Sequence, residues 1–237
     1  MHALIDADPR ENDLTIAADA AILSGVVVRG RGNRIAVGAG GSLAAFAPAG
    51  ARRDIAEGPA LRIEGDDNVV EIGEGARLTL NLAIIGDGAR IEIGRGCQLN
   101  GFAAIRSSGA VLVFGAGTTM VNGSLQLHEA GEIRIGEDCM IANQVYVSLS
   151  DVHPIHDRTT GERINPAASV HVGDHVWLGL RCMVMKGSRI GRGAVVAAGA
   201  VVSGEVPDHA IAAGVPARVV RENVEWRRDF GDAELSA

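Results

Sequence analysis

Four glycines, Gly73, Gly94, Gly115 and Gly136, recur at a spacing of 21 residues, and the segments around them superimpose. Just before each stands Ile72, Ile93, Phe114 or Ile135; three before stands Val70, Ile91, Leu112 or Ile133. Three after come the small residues Ala76, Cys97, Thr118 and Cys139, and five after come Leu78, Leu99, Met120 and Ile141. Columns of like residues at a fixed period mean stacked coils, each touching only its neighbours. Within a coil the alternation is that of short β-strands, with glycine where the backbone must turn tightly. The chain is 47% hydrophobic but only 3% aromatic, with 32 glycines. Such a composition suits an interior of repeated small aliphatic layers and not one built on aromatic rings. Cys97 and Cys139 then read as inward-facing small hydrophobes of one ladder.

Further along, the period shortens. Gly173 and Gly191 are 18 residues apart, in a run close to a six-residue repeat. Gly38 precedes Gly73 by 35 residues, so the coil starts earlier but less regularly. The expectation is irregular β over 1–60, a coiled domain over 61–221 with a loop at 148–165, and a C-terminal helical tail over 222–237. Trp226 and Phe230 stand at helix-compatible spacing, and that helix would cover the open end of the coil. The net charge of −7 argues against a general nucleic-acid binder. Three cysteines without a CxxC pair give neither a disulfide framework nor a zinc site. The N-terminus lacks the pattern of a secretory signal, and no run of about 20 apolar residues reads as an integral membrane segment. A cytoplasmic protein is expected.

From about residue 130 to 221 the chain resembles the hexapeptide-repeat acyltransferases. The resemblance is carried by "SDVHPI", "GDHVWLG", "KGSRIG" and "AGVPAR" in that order. Within that superfamily it looks like the O-acetyltransferases of sugars and polysaccharides. The resemblance implies an all-β, left-handed parallel β-helix, a hand opposite to the general crossover rule. It also implies a homotrimer with active sites between neighbouring subunits. Acetyl-CoA would serve as co-substrate, with no tightly bound cofactor and no metal, and a carbohydrate as acceptor.

The stretch "SLSDVHPIHDRTTGERIN" breaks the rhythm with two histidines, three acidic groups and two arginines. The interval from Gly136 to Gly173 exceeds one coil by roughly 16 to 19 residues, enough for a projecting loop. Loops on rigid scaffolds commonly carry function. Acyl transfer to a hydroxyl needs a base, donors for the developing oxyanion and both substrates held together. Histidine is the natural base near neutral pH, and the resemblance places the catalytic histidine at His153. His156 is the rival base, or a wall of the acceptor pocket, or a surface residue. Asp151 or Asp157 could fix the imidazole tautomer as carboxylates do in other acid–base sites; the alternative for each is turn chemistry. By resemblance Trp177 packs against the acetyl-CoA arm or the acceptor, with trimer packing as the alternative. Backbone N–H groups around Gly179 would meet the pantetheine or thioester. Lys186 and Arg218 would hold the phosphates of coenzyme A, unless they are ordinary solvated surface. Ala198 and Ser203 lie along the nucleotide track. His128, His171, His175 and His209 carry no assigned role.

Three other readings compete. The γ-type carbonic anhydrases share such a fold and bind a metal through three histidines, but no triplet here reproduces their spacing. A non-catalytic binding β-helix would give no reason for His153 and Trp177 to stand where they do. Transfer to the amine of an amino-sugar nucleotide is the nearest enzymatic rival, and the HPI loop favours a hydroxyl by resemblance.

Overall fold

In the computed structural model, which describes residues 4–47 and 58–230, the chain winds into a parallel β-solenoid. One wall is a sheet of nine strands in sequence order. They are β2 (Asp13–Ile16), β5 (Arg34–Val37), β8 (Val69–Ile72), β10 (Arg90–Ile93), β12 (Val111–Phe114), β14 (Glu132–Ile135), β16 (Val170–Val172), β19 (Arg189–Ile190) and β22 (Glu205–Val206). Each strand is one coil's contribution, and the pairings are parallel. The rest of each coil comes from a larger sheet that includes β9 (Arg77–Ile85), β11 (Gln98–Ile105), β13 (Thr119–Leu127) and β15 (Met140–Ser148). The 21-residue period therefore appears directly as register: Ile91 lies against Val70 and Leu112, and Leu112 against Ile133.

The columns face inward as the pattern predicts. Ala76, Cys97, Thr118 and Cys139 are fully buried, as are Ile91, Leu112 and Ile133. Burial pushes the Cys97 and Cys139 thiols up to about 11 and that of Cys182 to about 12. These side chains therefore stay neutral and act as packing. Inside one corner a ladder of amides, Asn12, Asn33 and Asn68, links coil to coil. The Asn33 side-chain oxygen accepts from both the backbone and the side-chain nitrogen of Asn68 at 3.0 and 2.9 Å. Polar groups buried there are thus paired, as burial requires.

The spaced glycines answer a different demand from the one expected. Gly115 does not need a left-handed backbone; a Cβ on it would sit 2.5 Å from backbone atoms of Gly136 and Glu137 in the next coil. The tight turn falls two residues later, where Gly117 has φ 70°. At that same turn position later coils carry Asp138, His175 and His209, with φ of 51°, 52° and 53°.

The first coils are more regular than the sequence suggests. β2 and β5 pair in parallel at the full 21-residue step, and β4 (Val26–Arg29) runs beside β7 (Leu61–Glu64) in the larger sheet. Among these first coils only the step from β5 to β8 is long, and residues 48–57 within it lie outside the described set.

The expected C-terminal helix is corrected: residues 222–230 contain no helical turn, and 231–237 lie outside the described residues. This tail is an extended strap tied by side chains to the left-handed turns. The Trp226 indole N–H donates to the His175 carbonyl at 2.7 Å, and its ring stacks on the His175 imidazole at 4.1 Å. The Arg228 guanidinium donates to the Asp138 carboxylate and to the Cys139 carbonyl, both at 3.0 Å. Helix spacing in the sequence is overruled by bonds that a helix could not make. Among the described residues no helix is long and apolar enough to cross a membrane.

Alanine at Gly115 should lower stability by about 3 kcal/mol, because two backbones must move apart. At Gly117 the cost should be about 1 kcal/mol for the left-handed turn alone. Thermal or urea unfolding of the two variants measures the difference, and equal losses would refute the close-approach account.

Candidate active site

After Ser148 the chain leaves the coil, and it re-enters at Val170. The excursion is a hairpin-like loop closed at its base by the Ala168 N–H donating to the Leu149 carbonyl at 3.0 Å. Higher up, Ile164 donates to Ile155 and Asp157 to Glu162, at 2.9 and 2.8 Å. At the tip the Asp157 carboxylate accepts from the Thr159 and Thr160 amides at 2.7 and 2.9 Å, which holds its pKa below the ordinary value. Turn chemistry is the structural role of Asp157; it is not brought to the imidazole of His153.

His153 is exposed and sits on a strained three-residue turn. Its N–H donates to the Asp151 carbonyl at 2.7 Å, across Val152 with φ 68°. That is the geometry of the rare γ-turn, and for a β-branched residue it is a genuine departure from allowed backbone. Such strain persists only where neighbours over-determine it. Here the buried Asn165 does so, donating to the Asp151 carboxylate and to the His153 carbonyl, both at 2.9 Å, and accepting from Ile155 at 2.6 Å. Ser150 completes the clamp by accepting from the Val152 N–H at 3.0 Å.

The side chain of Asp151 is engaged by Lys186 at 2.6 Å, which together with Asn165 lowers its pKa. Two expectations change at once. Asp151 positions the turn through Lys186 and Asn165 and does not contact the His153 ring. Lys186 fastens the loop to the next coil, where it had been expected to meet phosphate. A second tie is Glu129, which accepts a bidentate pair from Arg163 at 2.7 and 2.8 Å and a short hydrogen bond from the Ser150 hydroxyl. Arg163 and then Ser150 bring the Glu129 carboxyl down to about 2. Asn165, Glu129 and Arg163 were not singled out from the sequence. Asn165 and Arg163 lie in the quoted stretch, but nothing in the repeat marks Arg163 as the partner of Glu129 across 34 residues of chain, or Asn165 as the tie between Asp151 and His153. His156 is exposed and lies opposite Arg163 in the hairpin.

Trp177 opens β17 (Trp177–Leu178) and is 38% exposed. It pairs with Met140 at the start of β15, whereas the loop leaves from the other end of that strand, beyond the corner at Gln144 with φ 61°. One protomer therefore does not bring Trp177 and His153 together. Trp177 instead faces the strap, 6.2 Å from the ring of Trp226, across a cleft of about 480 Å³. The Gly179 N–H is already donated to the Val196 carbonyl at 2.8 Å, so it is not a donor for a thioester. Its lack of a side chain lets that next coil approach, since a Cβ would fall 2.6 Å from the same oxygen. Ala198 and Ser203 are exposed on successive turns, and Arg218 is exposed on β24 (Arg218–Arg221) with its guanidinium on the Ala217 carbonyl at 2.8 Å. Among the described residues no group of three or more His, Cys, Asp or Glu is placed to hold a metal ion.

Residues 169–204 match the family of bacterial transferase hexapeptide repeats (six repeats). A polysialic acid O-acetyltransferase of Neisseria meningitidis is 46% identical over 72 residues, covering 30% of this chain and 34% of the relative. The galactoside O-acetyltransferase of Escherichia coli K12 is 34% identical over 103 residues, covering 43% and 49%. The matched segments thus span between about a third and a half of the curated relatives' length. Among solved structures, a polysialic acid O-acetyltransferase aligns over 95% of both chains with TM-score 0.65 and 26% identity. A second one aligns at the same TM-score with 24% identity, which speaks for the fold.

The loop clamp has a pH signature. Glu129 binds its partners as a carboxylate, so its contribution is complete above about 4.5 and is lost as pH falls towards 2. Hydrogen-exchange protection of the Ile164 amide should follow that window, and Glu129→Gln should lower it about tenfold at neutral pH. Unchanged protection in the variant would show that the clamp does not hold the loop.

Proposed function

We propose that this chain, which carries the repeats and the fold of the hexapeptide-repeat acyltransferases, is an O-acetyltransferase. It moves acetyl from acetyl-CoA to a hydroxyl of a sugar or polysaccharide, in the cytoplasm where acetyl-CoA is available. The observation that carries the reading is His153. It is the exposed histidine held on a strained, clamped turn, in a chain that aligns over 95% of its length with a polysialic acid O-acetyltransferase.

The chemistry is direct transfer in a ternary complex. His153 accepts the proton of the acceptor hydroxyl as its oxygen attacks the acetyl carbonyl carbon. A C–O bond forms, the C–S bond breaks, and the proton passes from the imidazole to the leaving sulfur, giving free coenzyme A. Exposure keeps the imidazole accessible to both partners, and the Asn165 clamp fixes where the ring is rooted.

The working unit in this reading is a homotrimer with the site between subunits. Two observations support it. In one protomer Trp177 lies beside the first residue of β15 and His153 lies in the loop beyond its last, so a site using both takes Trp177 from a neighbouring copy. β11, β13 and β15 also carry no charged residue, while Val121, Leu180 and Met183 stand exposed nearby. Charge depletion and exposed apolar side chains are what an association surface needs. Arg218, Ala198 and Ser203 remain the proposed contacts for the nucleotide end of acetyl-CoA.

His153→Ala should reduce thiol release from acetyl-CoA by about 100- to 10,000-fold in the presence of an active acceptor, with acetyl-CoA binding retained. Equal turnover in variant and wild type would remove His153 as the base and bring His156 forward.

A further inference from the structure

The side of the loop facing the N-terminal coils carries a column that the acetyl-transfer chemistry leaves unused. Arg106 stands one residue beyond the paired Ile105 and Leu127, and His128 directly follows Leu127. The Arg106 N–H donates to the Leu127 carbonyl at 2.8 Å. Register from the paired Gln126 and Ser148 carries His128 on to Ser150, at the foot of the turn that bears His153. Arg106, His128 and the His153 turn therefore climb one edge of the solenoid on successive coils.

Three features set this edge apart. First, the charges that could neutralise it are already engaged: Glu129 by Arg163 and Ser150, Asp151 by Lys186 and Asn165. Among the described residues Arg106 has no carboxylate partner, and the adjoining strands β11, β13 and β15 carry no charge at all. Second, the His128 Nδ1 is buried without a partner among the described residues. A buried unpaired N–H is rarer than an under-used acceptor, so the ring proton belongs on Nε2, which becomes a fixed donor. Third, burial, and then the charges of Arg106 and His153, hold the His128 pKa below its ordinary value. The ring remains neutral beside the base and does not add a competing cation.

We propose that Arg106 and His128 form the acceptor side of the site and select a sugar bearing a carboxylate. This rests on the acetyl-transfer reading and names the substrate class for it. A guanidinium fork and a fixed N–H donor one coil apart suit a carboxylate, which accepts from both. A neutral sugar would leave Arg106 without a counter-charge at the mouth of the site. The anionic group lies on the N-terminal side of His153, and the acetyl donor approaches from the coils beyond it.

The test compares polysialic acid, the same polymer with its carboxylates reduced to alcohols, and a neutral galactoside. For the wild type, kcat/KM on the carboxylated polymer should exceed that on the reduced polymer by about tenfold or more. Arg106→Ala should abolish the preference mainly through the acceptor KM, with the acetyl-CoA KM unchanged. Arg106→Lys should recover part of it, and His128→Ala should weaken the same parameter. Arg106 is exposed, so thermal unfolding of its variants should match the wild type. Equal use of the two polymers, or an undiminished preference in Arg106→Ala, overturns the proposal. If the wild type acetylates none of the three, either its acceptor is another sugar or the acetyl-transfer reading fails, and thiol release from acetyl-CoA across a wider sugar panel separates the two. Calorimetric titration without acetyl-CoA then decides the inference. Binding of the carboxylated polymer that is lost in Arg106→Ala upholds it, and equal binding to both proteins overturns it.

Discussion

Everything in this molecule follows from how closely one coil lies on the next. The parallel ladders bring backbone against backbone, and at Gly94, Gly115 and Gly136 the approach leaves no room for even a Cβ. A solenoid built this tightly has few places for chemistry inside it. Among the described residues its interior is mainly a stack of Ile, Val, Leu, Ala and neutral thiols, with the buried amides Asn12, Asn33 and Asn68 paired up one corner. Reactive groups must therefore stand on what leaves the coil. Among the described residues two segments do so, the loop between Leu149 and Ala168 and the strap beyond Arg221, and they account for most of the side-chain hydrogen bonds described in the C-terminal half.

Both excursions are tied down by charge and by departures from ordinary backbone. In the loop, Glu129 with Arg163 and Asp151 with Lys186 anchor two sides of a turn whose centre, Val152, is strained. Neither pair is deeply buried, so each adds modestly to global stability; their effect is to fix one geometry for His153. In the strap, Trp226 and Arg228 grip Asp138 and His175, which replace glycine at left-handed turns of the coil. The non-glycine residues at those turns thus mark where a second segment docks. His175 uses both ring nitrogens there, on Asp138 and on the Trp226 carbonyl.

The period of 21 made the coils legible in the sequence, because each column is a run of identical environments repeated along the axis. Inward Cys97 and Cys139 and the projecting loop follow from that period and from its interruption, whereas the resemblance, not the period, picked out His153 within the loop. Roles that depend on distant partners were not legible. Lys186 carries the charge expected of a phosphate ligand, yet a carboxylate 35 positions earlier in the chain lies 2.6 Å away. Gly179 looked like an open backbone donor, but only the register of the next coil reveals that its N–H is taken. The tail has the spacing of a helix, and the bonds that stretch it come from turns 51 and 90 residues upstream. His128 gave no sequence signal, since its isolation is a property of what fails to reach it.

The central claim is that His153 of one copy works with Trp177 of a neighbour. Mixing two inactive variants, His153→Ala and Trp177→Ala, tests it most directly. After co-refolding, mixed oligomers contain interfaces that carry both native residues, and acetyl transfer should return to about a quarter of the wild-type level for equal mixing in a cyclic trimer. Activity that stays at the level of the separate variants would contradict a shared site and place the transfer chemistry within a single protomer.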